Sequence, residues 1–110
     1  MTKMKKMMLL TKSLRKMIPP LYTNESKSPE ETKVVVKVFN PYGSGTWYIT
    51  EFDGEDTMFG LCCINEAELG YVSLKELESL KIGKFGFPLE RDLYWNGTLA
   101  DARKEAETRY

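Results

Sequence analysis

Carboxylates are the side chains of this 110-residue chain best placed to do chemistry, because it contains no histidine. The commonest general base and metal ligand is therefore missing, and serine–histidine or cysteine–histidine nucleophile systems cannot be built from its own residues. Glu51, Glu66, Glu68, Glu90 and Asp92 could converge as acid and base or hold a magnesium ion, the arrangement of a carboxylate- and metal-dependent hydrolase. Solvated acidic faces account for the same residues without any chemistry. The only two cysteines, Cys62 and Cys63, are adjacent in a strand-like run. Their side chains point to opposite faces and do not pair with each other. A zinc site would need further ligands from Asp or Glu, and reduced, buried thiols are the simpler reading. Gly43-Ser44-Gly45 leads into a strand-like run rather than a helix, so it reads as a turn and not as a phosphate-cradling loop. The sequence assigns no catalytic residue, no metal ligand and no cofactor.

The more pointed constellation is aromatic and acidic. Trp47, Tyr48, Phe52, Tyr71, Phe85, Phe87, Tyr94 and Trp95 are many for so small a chain, and Trp and Tyr are the residues that anchor interfaces. They could also stack on bases, but that needs a basic groove beside them. Residues 51 to 78 hold Glu51, Asp53, Glu55, Asp56, Glu66, Glu68, Glu76 and Glu78 against Lys75 alone. Such a face repels phosphates and attracts the basic clefts of proteins that hold nucleic acid. Trp47, Tyr48, Glu51, Asp53, Glu55 and Asp56 are the expected partner-contact set, with Tyr94 and Trp95 beside them.

The elements that must position these residues follow from local pattern. Thr11 caps a helix with Leu14, Met17 or Ile18, and Leu21 on one side, which Pro19-Pro20 stops. Residues 24 to 32 form an exposed loop, and Lys33 to Phe39 a β-branched strand with Val34, Val36 and Val38 on one face and Val35, Lys37 and Phe39 on the other. A turn over residues 40 to 45 leads into a second strand, Thr46 to Phe52. There Trp47, Ile49 and Glu51 share one face, and Tyr48, Thr50 and Phe52 the other. Asp53 to Asp56 turn, with Gly54 at the position that needs positive φ. Thr57 to Ile64 is a third strand, in which Gly60 marks a bulge or a close approach, and Glu68 to Val72 a fourth. Ser73 and Glu76 form a capping box, with Val72 and Leu77 as its hydrophobic staple. This box opens a helix whose Leu74, Leu77 and Leu80 stripe must be buried against a sheet. Residues 84 to 88 are extended, and 89 to 95 are a short strand or an irregular crossing. Asn96-Gly97 turns into a last helix with Thr98 as cap and a thin Leu99, Ala102 and Ala106 stripe. The expected class is α+β: a four-stranded antiparallel meander covered by helices, with N-terminal and C-terminal helices.

Sixteen basic and sixteen acidic residues cancel formally, so no whole-molecule attraction to nucleic acid or membrane follows. Their distribution is uneven. Lys3, Lys5, Lys6, Lys12, Arg15 and Lys16 lie within the first 17 residues without an acid among them, leaving 10 basic against 16 acidic beyond, a balance of −6. No apolar run approaches the ~20 residues a bilayer span requires, and Met7 to Leu10 is shorter than a signal-peptide core of about 7–15, so the expected setting is cytoplasmic. The organisation expected is a basic extension over residues 1–8, one α+β domain over 9–95 and a C-terminal helix over 96–110.

LLTKSLRKMIPPLY (residues 9 to 22), VVVKVFNP, TWYITEFDG, NEAELGYVSLKELESL and GFPLERDLYW together resemble the bacterial and phage family catalogued as domain of unknown function 2958. AELGYVSLKELE (67 to 78) and PLERDLYW (88 to 95) are the most specific pieces. The resemblance implies a setting rather than a chemistry. Relatives are encoded on plasmids, phages and integrated elements near genes for DNA handling, and small acidic proteins of that origin are often inhibitors of host defence nucleases, anti-CRISPR proteins among them. The reading that follows is a non-enzymatic protein-binding protein whose partner is a nucleic-acid-handling host enzyme such as a CRISPR effector nuclease. A DNA- or RNA-binding accessory protein, resting on the basic start and the aromatic surplus, is the alternative, and the carboxylate hydrolase a second.

Overall fold

The computed structural model describes residues 9–81 and 88–108. The basic residues Lys3, Lys5 and Lys6 and the aromatic residues Phe85 and Phe87 lie outside them. The order is α1 (Lys12–Met17), β1 (Lys33–Val34), β2 (Val36–Phe39), β3 (Thr46–Phe52), β4 (Thr57–Cys63), β5 (Ala67–Ser73), α2 (Leu74–Ser79), β6 (Glu90–Arg91), β7 (Gly97–Thr98) and α3 (Leu99–Glu107). Five strands make one antiparallel sheet in the order β5-β4-β3-β2-β6, and β1 pairs with β7 separately. The α+β class and the meander stand. The segment of undecided structure after Pro88 adds a fifth strand, because Glu90 and Arg91 pair with Phe39 and Val38.

Both faces of the sheet are covered. On one, Val36, Val38, Trp47, Ile49, Phe52 and Met58 pack with Leu9, Leu10, Ile18, Leu74, Leu77 and Leu89. On the other, Val34, Tyr48, Leu61 and Cys63 pack with Leu99, Ala102 and Ala106 of α3. A strand covered on both faces loses the hydrophobic–polar alternation of a half-exposed one, which is why every residue of β3 is buried.

The alternation of β3 is also broken. Ile49 pairs with Gly60 but Glu51 with Phe59, so Thr50 is an extra residue, a β-bulge. Beyond it the faces exchange. Phe52 joins Trp47 and Ile49 in the first core, while Glu51 turns to the side of Tyr48 and Thr50, the reverse of simple alternation. Gly60 is the residue this geometry requires: a Cβ there would lie 1.9 Å from the Tyr48 carbonyl oxygen.

The expected first strand divides in the same way. Val34 packs on the α3 side and Val36 on the other, because the chain leaves β1 at Val35, whose amide donates to the Ile49 carbonyl at 2.9 Å. In α2, Leu74 and Leu77 are buried, but the helix ends at Ser79 and Leu80 is exposed. Ser73 Oγ accepts from the Glu76 amide as expected. The amides of Leu74 and Lys75 donate to the carbonyl and the Oδ1 of Asp56, and among the described residues no bond from the Ser73 amide to the Glu76 carboxylate completes a box. The full capping box lies at α3, between Thr98 and Asp101.

Gly60→Ala is expected to cost more than about 3 kcal/mol, since the clash is with backbone that cannot step aside. Gly70→Ala, where a Cβ meets nothing within 4 Å, should stay within about 1 kcal/mol. Urea denaturation of the two variants beside the parent checks both, and equal costs would contradict the close approach.

Candidate functional site

Of the expected contact set, Trp47, Tyr48 and Glu51 are 7%, 0% and 4% exposed. They form interior structure rather than a surface, and this corrects the expectation for all three. The bulge turns Glu51 under the segment that follows Pro20, where its two oxygens accept the amides of Tyr22 and Asn24, each at 2.8 Å. Tyr22 has φ 71, a left-handed backbone that a bulky residue rarely adopts. The two charge-assisted bonds hold it there.

Asp53, Glu55 and Asp56 do lie in an acidic turn, closed at Gly54 with φ 89. Asp53 Oδ1 accepts the amides of Glu55, Asp56 and Thr57 at 2.8, 2.9 and 3.0 Å. Those bonds hold its carboxyl below the usual range. Asp56 is likewise lowered, first by the Ser73 hydroxyl and then by the Lys75 amide. Asp53 closes the turn and Asp56 ties it to α2, whereas the exposed Glu55 carboxylate has no such task among the described residues. Tyr94 is 94% exposed, next to a half-buried Trp95 whose indole donates to Glu105 Oε2 at 2.6 Å.

Glu105 is the residue that pattern reading passed over. From α3 it also accepts the Tyr48 hydroxyl at 2.7 Å and pairs with the buried Lys37 ammonium. Asp92 lies 3.7 Å from the same ammonium, and the Tyr48 and Trp95 rings lie under it. Burial pushes the Glu105 carboxyl up, but bonds from Lys37, Tyr48 and Trp95 together with the Lys37 charge outweigh it, and the net direction is down. The signal in the sequence is a lysine amid strand valines, which needs a carboxylate partner if it is buried.

The carboxylates considered for catalysis are dispersed. Glu51 serves the loop and Asp92 the Lys37 cluster. Glu66 and Glu68 lie at the β4–β5 hairpin, and Glu90 is on β6. Among the described residues no three of His, Cys, Asp and Glu approach closely enough to hold a metal ion. Cys63 is buried and pushed up to about 11, first by desolvation, and burial raises Cys62 as well. Both stay protonated thiols, poor as nucleophiles or ligands.

One concave feature among the described residues lies on the α3 face of the sheet, where residues 22 to 32 arch over β3, β4 and β5. It is a cleft of about 490 Å³ with Thr50 and Glu51 at its base, Phe59, Leu69 and Tyr71 along one side and Tyr22 and Asn24 along the other. Phe59 and Tyr71 stack tilted, with ring centroids 5.0 Å apart. Tyr22 and Tyr71, 62% and 56% exposed, stand on opposite sides of the mouth, and the neighbouring Tyr22 phenol pushes the Tyr71 hydroxyl up. Leu69 is 44% exposed. A second, shallower recess runs along the β5 edge past Glu66, Glu68 and Gly70. Among the described residues, Tyr71 is the one aromatic side chain singled out in the sequence that lines this cleft, and Gly60 signals a bulge or a close approach at its base without saying on which strand the extra residue falls.

A small antiparallel sheet closed on both faces by short helices, with one roofed aromatic cleft, defines the chain as a compact α+β module. Residues 8–104 match the family model described as "Protein of unknown function (DUF2958)", and the chain belongs to that family. No curated protein and no solved structure matches it. Among the described residues no helix is long and apolar enough to cross a membrane.

Glu51→Gln leaves one of the two loop amides facing an NH₂ group instead of an acceptor. It should cost about 2 kcal/mol and speed hydrogen exchange at Tyr22 and Asn24 well before the sheet opens. Unchanged exchange at those two amides would show that Glu51 does not hold the arch. For Glu105 the folded carboxyl lies below its unfolded value, so its contribution is complete above about pH 4.3 and is lost as pH falls through the lower folded value. Glu105→Gln should therefore lose about 2 kcal/mol at neutral pH. Unfolding curves across a pH series should show that loss shrinking toward acid.

Proposed function

We propose that the chain is a non-enzymatic protein-binding protein whose recognition surface is the Tyr22–Phe59–Leu69–Tyr71 cleft and its acidic rim. The observation that carries this reading is a division of labour. Glu51, Asp53 and Asp56 spend their lone pairs on the protein's own amides and hydroxyl, whereas Leu69 and Tyr71 remain open beside the exposed Glu25, Glu66 and Glu68, with Lys27 a basic residue of the cleft lining. Aromatic anchors in a pocket ringed by charge are what a protein interface needs at its centre and rim. Acidic rims select basic partners and speed their encounter.

The concrete partner is a nucleic-acid-handling enzyme whose basic groove meets Glu66 and Glu68, a host defence nuclease of the CRISPR effector kind being the leading case. The chain would then act as an inhibitor encoded by a phage or other mobile element. Its net-acidic body beyond residue 17 and the setting implied by the family resemblance support that version.

The test is DNA cleavage by a panel of purified, guide-loaded nucleases with and without the chain. Suppression by the parent should weaken about tenfold for Glu66→Lys/Glu68→Lys and about thirtyfold for Tyr71→Ala, with Glu55→Lys close to the parent. Undiminished cleavage at saturating chain, with no complex in sedimentation, would sink the nuclease reading. Equal loss from Glu55→Lys would move the surface back to the acidic turn.

A further inference from the structure

The two edges of the sheet are unequal. β6 is two residues long, which blunts that edge, whereas β5 presents seven residues, Ala67–Ser73. Among the described residues nothing pairs with its outer side. Natural edges of that length are protected by lysine, proline, a bulge or a covering segment. Between Ala67 and Ser73 there is no lysine and no proline, and its pairing with β4 runs without a break from Ala67 to Ser73. Of its three exposed residues, Leu69 and Tyr71 are apolar and Glu68 is charged.

We infer that the occupant of this edge is a second copy of the chain, the two β5 strands pairing antiparallel about a two-fold axis at Gly70 to make one continuous ten-stranded sheet. Three observations favour a second copy over a foreign strand. Facing residues in an antiparallel pair share a side of the sheet, so the symmetric registers centre on a residue, and only the one centred on Gly70 uses all seven. In that register Leu69 lies against the other copy's Tyr71, twice, and Glu68 against Val72, so apolar groups meet and no like charges are opposed. Gly70 itself has open space around its Cα and lets the strands close at the axis.

An axis normal to the sheet keeps the same face of both copies on the same side. Both clefts then open in one direction, and Leu69 and Tyr71 of each copy flank the mouth of the other's cleft. A partner with two matching sites would engage them together, with the gain of a linked second contact. The dimer stands whether or not the proposed partner class is right, since it is measured on the chain alone.

The experiment is sedimentation equilibrium of the full chain over a range of micromolar concentrations, with circular dichroism and thermal melts as fold controls. The parent should approach twice 12.7 kDa. Leu69→Lys/Tyr71→Lys, which sets lysine against lysine in this register, should be monomeric, and Leu69→Glu/Tyr71→Lys, which sets glutamate against lysine, should restore the dimer. The restored variant keeps the test decisive if the first one melts early. A parent that stays monomeric throughout, or a dimer indifferent to both pairs of substitutions, overturns the inference.

Discussion

The contact of Gly60 with the backbone of Tyr48 and Ile49 is the constraint on which the rest of the structure depends. Because a bulge inserts Thr50 against a residue without a side chain, β3 can serve two cores in succession with an apolar residue always pointing inward. Trp47 and Ile49 fill the first face, and after the bulge Phe52 continues it instead of emerging on the other side. The exchange has a second consequence. It turns Glu51, which simple alternation would seat in an apolar core beside Ile49, toward the opposite face. There the arching loop brings two amides to meet it. Burying that carboxylate without donors would cost several kcal/mol, so sheet and arch are parts of one solution. The positive φ at Tyr22 is the local strain that closing the arch requires.

Attachment of α3 answers a different physical problem. A stripe of one leucine and two alanines buries little apolar area, and by area alone the helix would be held weakly. Small residues have a compensating virtue: they let the helix axis come close to the sheet. At that distance Glu105 reaches over Tyr48 and Trp95 to a lysine projecting from the middle of β2. The lysine is desolvated by the same approach that brings its counter-ion, and Asp92 and two aromatic faces complete its shell. Neither half is favourable alone, since a buried ammonium without Glu105 would be an uncompensated charge. The helix is thus held by a satisfied polar cluster set in a modest apolar contact, and its cap, Thr98 with Asp101, only fixes where it begins.

Elements with a strong local code were legible in the sequence. The two hairpins, the Ser73 and Thr98 caps, the Pro19-Pro20 stop and the glycine at 54 each rest on chemistry confined to a few neighbouring residues. What was not legible depends on contacts between distant residues. Gly60 announced a bulge or a close approach but not on which strand the extra residue would fall, and the face of Glu51 turns on that choice. The division of Lys33 to Phe39 at Val35 depends on β7, about 65 residues away in the chain. The site suffered most, for a related reason. An aromatic residue reads the same in sequence whether it fills a core, as Trp47 does, or lines a mouth, as Tyr71 does.

The same ambiguity governs the acidic residues, and it can be resolved physically. A carboxylate within a few residues of a glycine turn, or just ahead of a helix, meets unpaired amides at almost no entropic cost, because the backbone that carries them is already folded. Such a group satisfies local donors first and is available to a partner only as residual charge. Asp53 and Asp56 are of this kind. Glutamates on a strand edge and hairpin tip, such as Glu66 and Glu68, are captured by no amide among the described residues. Their long side chains stay in solvent, where field and not geometry decides what they meet. An acidic stretch in a sequence is therefore two populations, one that builds the fold and one that faces the outside, and proximity to turns and helix starts separates them. In this chain the separation is what moves the proposed recognition surface from the β3–β4 turn to the β5 edge, where the exposed Leu69 and Tyr71 also are.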